Sequence, residues 1–283
     1  RFHPITLNTS HITPITSLPL TMKYSSSNIL TTVNTNHRDI ISKTYKDLRG
    51  DCGQEGRMWA PNPEAEKYEA LASAGYPNIA EIYGVAYYQP ASGKATPFNI
   101  LMEAVNSTVQ VGEIFSRSLK NFENISDFTK KTAITIAQMH SAFLKCDKPD
   151  FQAISATDDD IRLWHHRMSS NFSQAISALK CRSLQYPDAT VLANLIRKLE
   201  SLTIHPLSTG SVMKAQIHGD LHADQGLVAD RICWLDFEGP PAKEPVAADR
   251  DFRENPLLDL AGMIQAFWYM AHVRLYELSG FDY

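Results

Sequence analysis

The sequence predicts an α+β chain in two parts: a small antiparallel sheet carrying one helix, and a larger part that is mostly helical. Three observations carry that reading. Residues 1 to 46 are rich in Thr, Ser, Asn and Ile and show no helix-period pattern, so they read as strands. From Gln110 onward the apolar residues recur at helical spacing. Near the end, a short apolar strand from Ile232 to Leu235 interrupts the helices and is flanked by acidic and polar residues.

Composition bounds the class. A chain of 283 residues forms one or two domains with a sizeable core. It is 43% hydrophobic and 20% charged, as expected of a globular protein. A net charge of -4 gives no reason to expect nucleic acid as a partner. No apolar run reaches the roughly 18 residues of a spanning helix, so no membrane partner is expected. No apolar leader with a cleavage site opens the chain. Cys52, Cys146, Cys181 and Cys233 are scattered and form no CxxC pair, so they read as reduced thiols. A cytoplasmic monomer is the expectation.

The elements follow in order. Ile29 to Thr35 and Asp39 to Tyr45 are strand-like, with Asn36 and His37 as the turn between them. Ser25 to Ser27 could form a phosphate-covering turn, although it lacks the glycines of a GxGxxG loop. Lys43 alternates with Ile41 and Tyr45, which places the three on one face of the second strand. On the strand alone, Lys43 reads as a surface lysine. Residues 47–62 form a polar, Gly-rich loop. Asn62 and Pro63 then start a helix over 62–74, with Gly75 as its stop. Glu64, Glu66 and Glu69 suit a helix N-terminus by dipole alone, but one of them could reach Lys43.

Two more strands, Ile79 to Tyr87 and Phe98 to Val105, flank a turn reading PASGK. Helices follow over Val111 to Leu119 and Ile125 to Leu144, where His140 reads as a satisfied core histidine. Further helices run from Trp164 to Leu179 after the Asp158 to Asp160 acid run, which reads as a cap and solvated turn, and from Ala189 to Leu202. Asn255 and Pro256 start the last helix, with Asp259 in its first turn and Leu260, Met263, Ile264, Phe267 and Met270 on its apolar face.

The stretch from Ile217 to Gly239 carries the chemistry. Phosphoryl transfer needs a carboxylate to accept the proton of an attacking hydroxyl, and further oxygen ligands to hold Mg²⁺ on the nucleotide phosphates. Asp220, in a His-Gly-Asp turn, can supply the first. Gln225 and Asp236 can supply the second, with Glu238 in support.

HGDLH, the following Gln225, LDFEG and NPLLDLAGM together resemble the aminoglycoside phosphotransferase-like kinases, most of all their maltokinase and glucosamine kinase branch. SKTYKDL resembles the branch's strand lysine and NPEAE its following helix motif. The resemblance covers roughly residue 20 to the end. It implies a two-lobed, protein-kinase-like fold, with a nucleotide-binding lobe over 1–105 and a helical lobe with the catalytic and metal loops over 106–283. It favours Lys43 over Lys46 as the phosphate contact and Glu66 as its partner. It makes Glu103 to Val105 the hinge whose backbone meets adenine. Asp220 becomes the catalytic base. Gln225, in the place that most relatives fill with Asn, becomes a metal ligand with Asp236 and Glu238. His218 and Asp259 brace the catalytic loop. The implied activity is ATP- and Mg²⁺-dependent phosphorylation of a sugar, maltose first, with glucosamine or an aminoglycoside as alternatives. A non-catalytic nucleotide-binding relative is the reading from another class. The resemblance also implies further helices after the last one, which would help wall the acceptor pocket.

Overall fold

The computed structural model describes residues 2–4, 20–24, 28–34, 39–46, 62–89, 95–107, 109–183, 189–201, 212–239 and 252–278. Ser25 to Ser27, the turn at Asn36 and His37, Cys52, the PASGK turn and most of the 47–62 loop lie outside them.

The chain divides into two compact units, residues 1–152 with 215–283, and residues 153–214. The expected lobe boundary near residue 105 falls inside the first. That unit opens with β1 (Phe2–Pro4), β2 (Leu20–Tyr24), β3 (Asn28–Asn34) and β4 (Asp39–Tyr45). Next come α1 (Glu64–Ser73), β5 (Ile82–Tyr88) and β6 (Thr96–Glu103). All six strands join one antiparallel sheet in the order β1-β5-β6-β4-β3-β2. The strand order places Lys43 in an interior strand, opposite Leu30 on one side and Ile100 on the other, and it is buried there, not at the surface as the strand alone suggested.

Two helices follow, α2 (Val111–Asn121) and α3 (Ser126–Phe143). The second unit holds β7 (Ile154–Ser155), α4 (Asp158–Ser183), α5 (Ala189–Glu200) and β8 (Met213–Lys214), with β7 and β8 paired antiparallel. Its acid run starts α4, and Asp160 bonds to Lys214 at 2.8 Å and to the Thr157 amide at 2.8 Å. The chain returns to the first unit with the hairpin β9 (Gly226–Val228) and β10 (Ile232–Trp234), and then α6 (Leu257–Leu278).

The core of the first unit runs from Tyr45, Val85 and Ile100 of the sheet, through Tyr68 and Leu71 of α1, to Phe143 of α3 and to Trp234 and Phe237. Trp234 is fully buried, and its indole N–H donates to Thr135 at 3.0 Å, as a buried Trp requires. α6 packs on α2 through stacked rings of Phe115 and Phe267, 4.4 Å between centroids. The expected apolar face of α6 is only partly covered. Met263 is buried, whereas Leu260 and Ile264 are exposed along with Trp268 and Tyr269, because this helix is apolar on more than one side. No helix among the described residues is long and apolar enough to cross a membrane, and Cys146, Cys181 and Cys233 are free thiols.

Candidate active site

Lys43 is buried at the centre of the site. Its ammonium lies 2.8 and 3.0 Å from the two carboxylate oxygens of Glu64, 2.6 Å from Asp236 Oδ1 and 2.8 Å from Glu238 Oε1. Burial by itself would lower the pKa of this ammonium. The carboxylates of Glu64, Asp236 and Glu238 overcome that and hold it above its ordinary value.

The partner of Lys43 is therefore Glu64, and not Glu66 as the motif suggested. Glu66 is exposed, while Glu64 is fully buried. Helical geometry is the reason. Residues two apart project to opposite sides of a helix, so only one of the two glutamates can face the sheet. The buried stripe of α1 holds Glu64, Lys67, Tyr68 and Leu71, at i, i+3, i+4 and i+7. Tyr68 and Leu71 are the large apolar residues of that face, and Glu64 lies on it. The side chain of Asn62 caps this end by accepting the Glu64 amide proton at 3.0 Å. Tyr45, two residues after Lys43 on the same strand face, donates its hydroxyl to Glu64. Lys46, the alternative lysine, is exposed.

The β9–β10 hairpin brings in the other carboxylates. Asp236 follows β10 with φ +68°, a left-handed conformation uncommon outside glycine, and this turn aims its carboxylate at Lys43. Gln225 donates its amide to Asp236 Oδ2 at 3.1 Å, and Asn28 of β3 donates to Glu238 at 2.6 Å. Phe237 between the two acids is fully buried, edge-on to Tyr68 at 4.9 Å and against His218 at 4.6 Å, so it anchors the turn. One carboxylate oxygen from each of Glu64, Asp236 and Glu238 lies within 4.8 Å of the others. Burial separates their roles. The Glu64 side chain is 0% exposed and the Asp236 side chain 37%, so Asp236 is the carboxylate of the three most open to solvent. Burial would raise the Asp236 pKa, but Lys43 wins and holds it below the ordinary carboxylate range.

Asp220 stands on a loop braced from α6. The Asp259 carboxylate accepts the amides of His218 and Gly219 at 2.8 and 2.9 Å, and His140 Nε2 at 2.8 Å. His140 is thus satisfied, as its place on α3 implied. His218 is fully buried and bonds through Nε2 to the Leu235 carbonyl at 2.8 Å; burial pushes its pKa down to about 4. Gly219 has φ +92°, which a side chain would resist. At Gly262, on α6, an added Cβ would sit 2.4 Å from the Leu221 carbonyl, so this glycine lets the helix approach the loop. Asp220 itself is half-buried. Burial raises its pKa, Asp236, Asp259 and Glu238 push the same way, and His222 opposes.

The residues expected to form the hinge are partly committed elsewhere. The Glu103 amide donates to the Glu81 carbonyl at 2.8 Å and that of Ala104 to Asp39 at 3.1 Å. The Glu103 carboxylate accepts from Arg231 at 2.9 Å. Val105 lies just beyond them, half-buried. Sequence reasoning missed Arg231, Asn28, Tyr45 and Lys67. Only Tyr45 carried a signal, its two-residue spacing from Lys43.

No family model matches the chain. Among solved structures it is similar to glucosamine kinase. A complex of that enzyme with glucosamine, ADP and inorganic phosphate aligns over 94% of this chain and 77% of that chain, with a TM-score of 0.60 and 17% identity. A second crystal form aligns over 95% and 79%, with a TM-score of 0.59 and 15% identity. The chain has the kinase-like fold its motifs pointed to. A small antiparallel sheet lobe and a helical lobe carry Lys43 and Asp220 respectively.

Proposed function

We propose that this chain is an ATP- and Mg²⁺-dependent kinase that phosphorylates a sugar hydroxyl. The observation that carries the reading is the cluster in which three carboxylates share one ammonium, Lys43, and the most open of the three also takes the Gln225 amide. Counted as ionised, the cluster has surplus negative charge and hard oxygen donors, which suits a divalent cation. Asp236, Glu238 and Gln225 would hold Mg²⁺, which would neutralise negative charge on the nucleotide phosphates.

The protein's own residues do the rest. Lys43, held by Glu64, offers its ammonium to the phosphates. Asp236 and Glu238 supply anionic oxygens to the cation. Gln225 adds its carbonyl, since an amide carries donor and acceptor together. The adenine edge meets backbone groups near Glu103 to Val105, chiefly the Val105 amide, because those of Glu103 and Ala104 are bonded to the Glu81 and Asp39 carbonyls. Asp220 orients the acceptor hydroxyl and takes its proton as the oxygen bonds the γ-phosphorus and the bond to ADP breaks. Its raised pKa strengthens it as a base.

The motifs support maltose as acceptor, with maltose 1-phosphate as product. The likeness to glucosamine kinase supports glucosamine as the second acceptor to test. ADP release should be screened over maltose, glucose, glucosamine, trehalose and kanamycin. Asp220→Asn should bind MgATP in calorimetry while kcat falls by roughly 10²–10⁴-fold, the range for a lost general base. Asp236→Ala should lose metal-dependent nucleotide binding. If wild type binds MgATP and phosphorylates none of these acceptors, the chain is a nucleotide-binding module instead.

A further inference from the structure

Lys67 lies on α1 one turn after Glu64 and is 2% exposed. Burying an ammonium is costly unless it is paired and hydrogen-bonded. Its Nζ donates to the His218 carbonyl at 3.0 Å, and Asp259 and Glu64 supply the nearby negative charge. A packing role would be met better by Leu or Met, so the amine is there for the carbonyl.

That carbonyl belongs to a particular peptide unit. The C=O of His218 and the N–H of Gly219 are the two ends of one planar group. Lys67 holds the oxygen at 3.0 Å, and Asp259 holds the N–H at 2.9 Å from α6. The residue that follows this unit is Asp220. Gly219 needs its positive φ to make the turn, yet glycine is also the residue least able to hold its own conformation. A turn built on glycine ahead of a catalytic group therefore needs fixing from outside, and this peptide is fixed at both ends.

We propose that Lys67 is a positioning residue that clamps the 218–219 peptide and so aims Asp220, making α1 a strut between the lysine anchor and the base. Glu64 would hold the nucleotide-side group and Lys67 the acceptor-side loop, one helical turn apart. The positioning role rests on the kinase reading; the clamp itself does not.

The test is Lys67→Met in the full chain, which keeps length and apolar stem and removes the donor. Amide hydrogen exchange followed by mass spectrometry should rise in residues 217–221 by roughly tenfold to a hundredfold, the worth of a hydrogen bond to a charged group. Exchange in 39–45 should stay at the wild-type rate. With an acceptor in hand, kcat should fall about tenfold or more while KM for ATP changes by less than about twofold, as expected when the base is misaimed and nucleotide binding is left intact. A folded Lys67→Met chain with unaltered exchange at 217–221 overturns the clamp, and raised exchange with unchanged kcat overturns the positioning role. If Lys67→Met lacks a cooperative melting transition, Lys67→Arg carries the test: wild-type protection at 217–221 supports the clamp and its loss overturns it. Exchange needs no turnover, so a chain that phosphorylates nothing would fail the kinase reading and leave the clamp standing.

Discussion

Two buried charge centres meet α1 one turn apart, and they are built on opposite plans. Around Lys43, one ammonium faces the carboxylates of Glu64, Asp236 and Glu238. Around Asp259, one carboxylate accepts two backbone amides and a histidine nitrogen, and its neighbours need nothing more from it. The first centre carries unbalanced charge and opens to solvent at Asp236. The second is complete and 1% exposed at Asp259. A protein keeps an unbalanced centre at some cost in stability when a ligand will balance it, and a balanced centre where geometry must not move.

Substitution should separate the two. Asp259→Ala leaves the His218 and Gly219 amides without an acceptor and should cost about 2–6 kcal/mol, at 1–3 for each orphaned group. Urea unfolding reads this directly. Glu238→Gln removes surplus charge and should change stability without divalent cation by less than about 1 kcal/mol, in the stabilising direction. Mg²⁺ with ATP should raise the melting temperature of wild type more than that of Glu238→Gln. Equal losses from both substitutions would remove the distinction.

Acid should break the complete centre from its histidine side. His218 is shifted from an ordinary 6.5 to about 4 by burial. Between those values the unfolded chain binds a proton that the folded chain does not, so stability is full above pH 6.5 and falls as pH drops toward 4. The loss amounts to roughly 3 kcal/mol. Unfolding free energies across that window in wild type and His218→Asn check it, with the variant expected to show the shallower slope.

The smallest effect sharpens the pairing on α1. Glu66→Gln alters an exposed side chain and should shift stability by no more than about 0.5 kcal/mol, with turnover unchanged. Glu64→Gln should raise KM for ATP, since Lys43 loses its buried counter-charge. A reversed pattern would return Glu66 to the site.

Much of this arrangement could be read along the chain. The strand alternation placed Lys43 on one face with Tyr45, and both are buried; it did not show that the strand is interior, so the lysine read as a surface residue on the strand alone. The HGD turn, the short strand before Asp236 and the helix bearing Asp259 were legible because each depends on contacts within a few residues, where glycine, proline and periodicity report local geometry. The choice between Glu64 and Glu66 was also local, since the Tyr68 and Leu71 stripe decides it, yet the motif suggested the wrong one. What only the tertiary structure decided are the pairings across large separations: Asn28 with Glu238, Arg231 with Glu103, Lys67 with the His218 carbonyl. Each joins groups more than a hundred residues apart, and no spacing rule connects them. Their side chains are polar, and a polar residue's partner is set by which unsatisfied group the fold brings within about 3 Å, a matter of packing and not of periodicity.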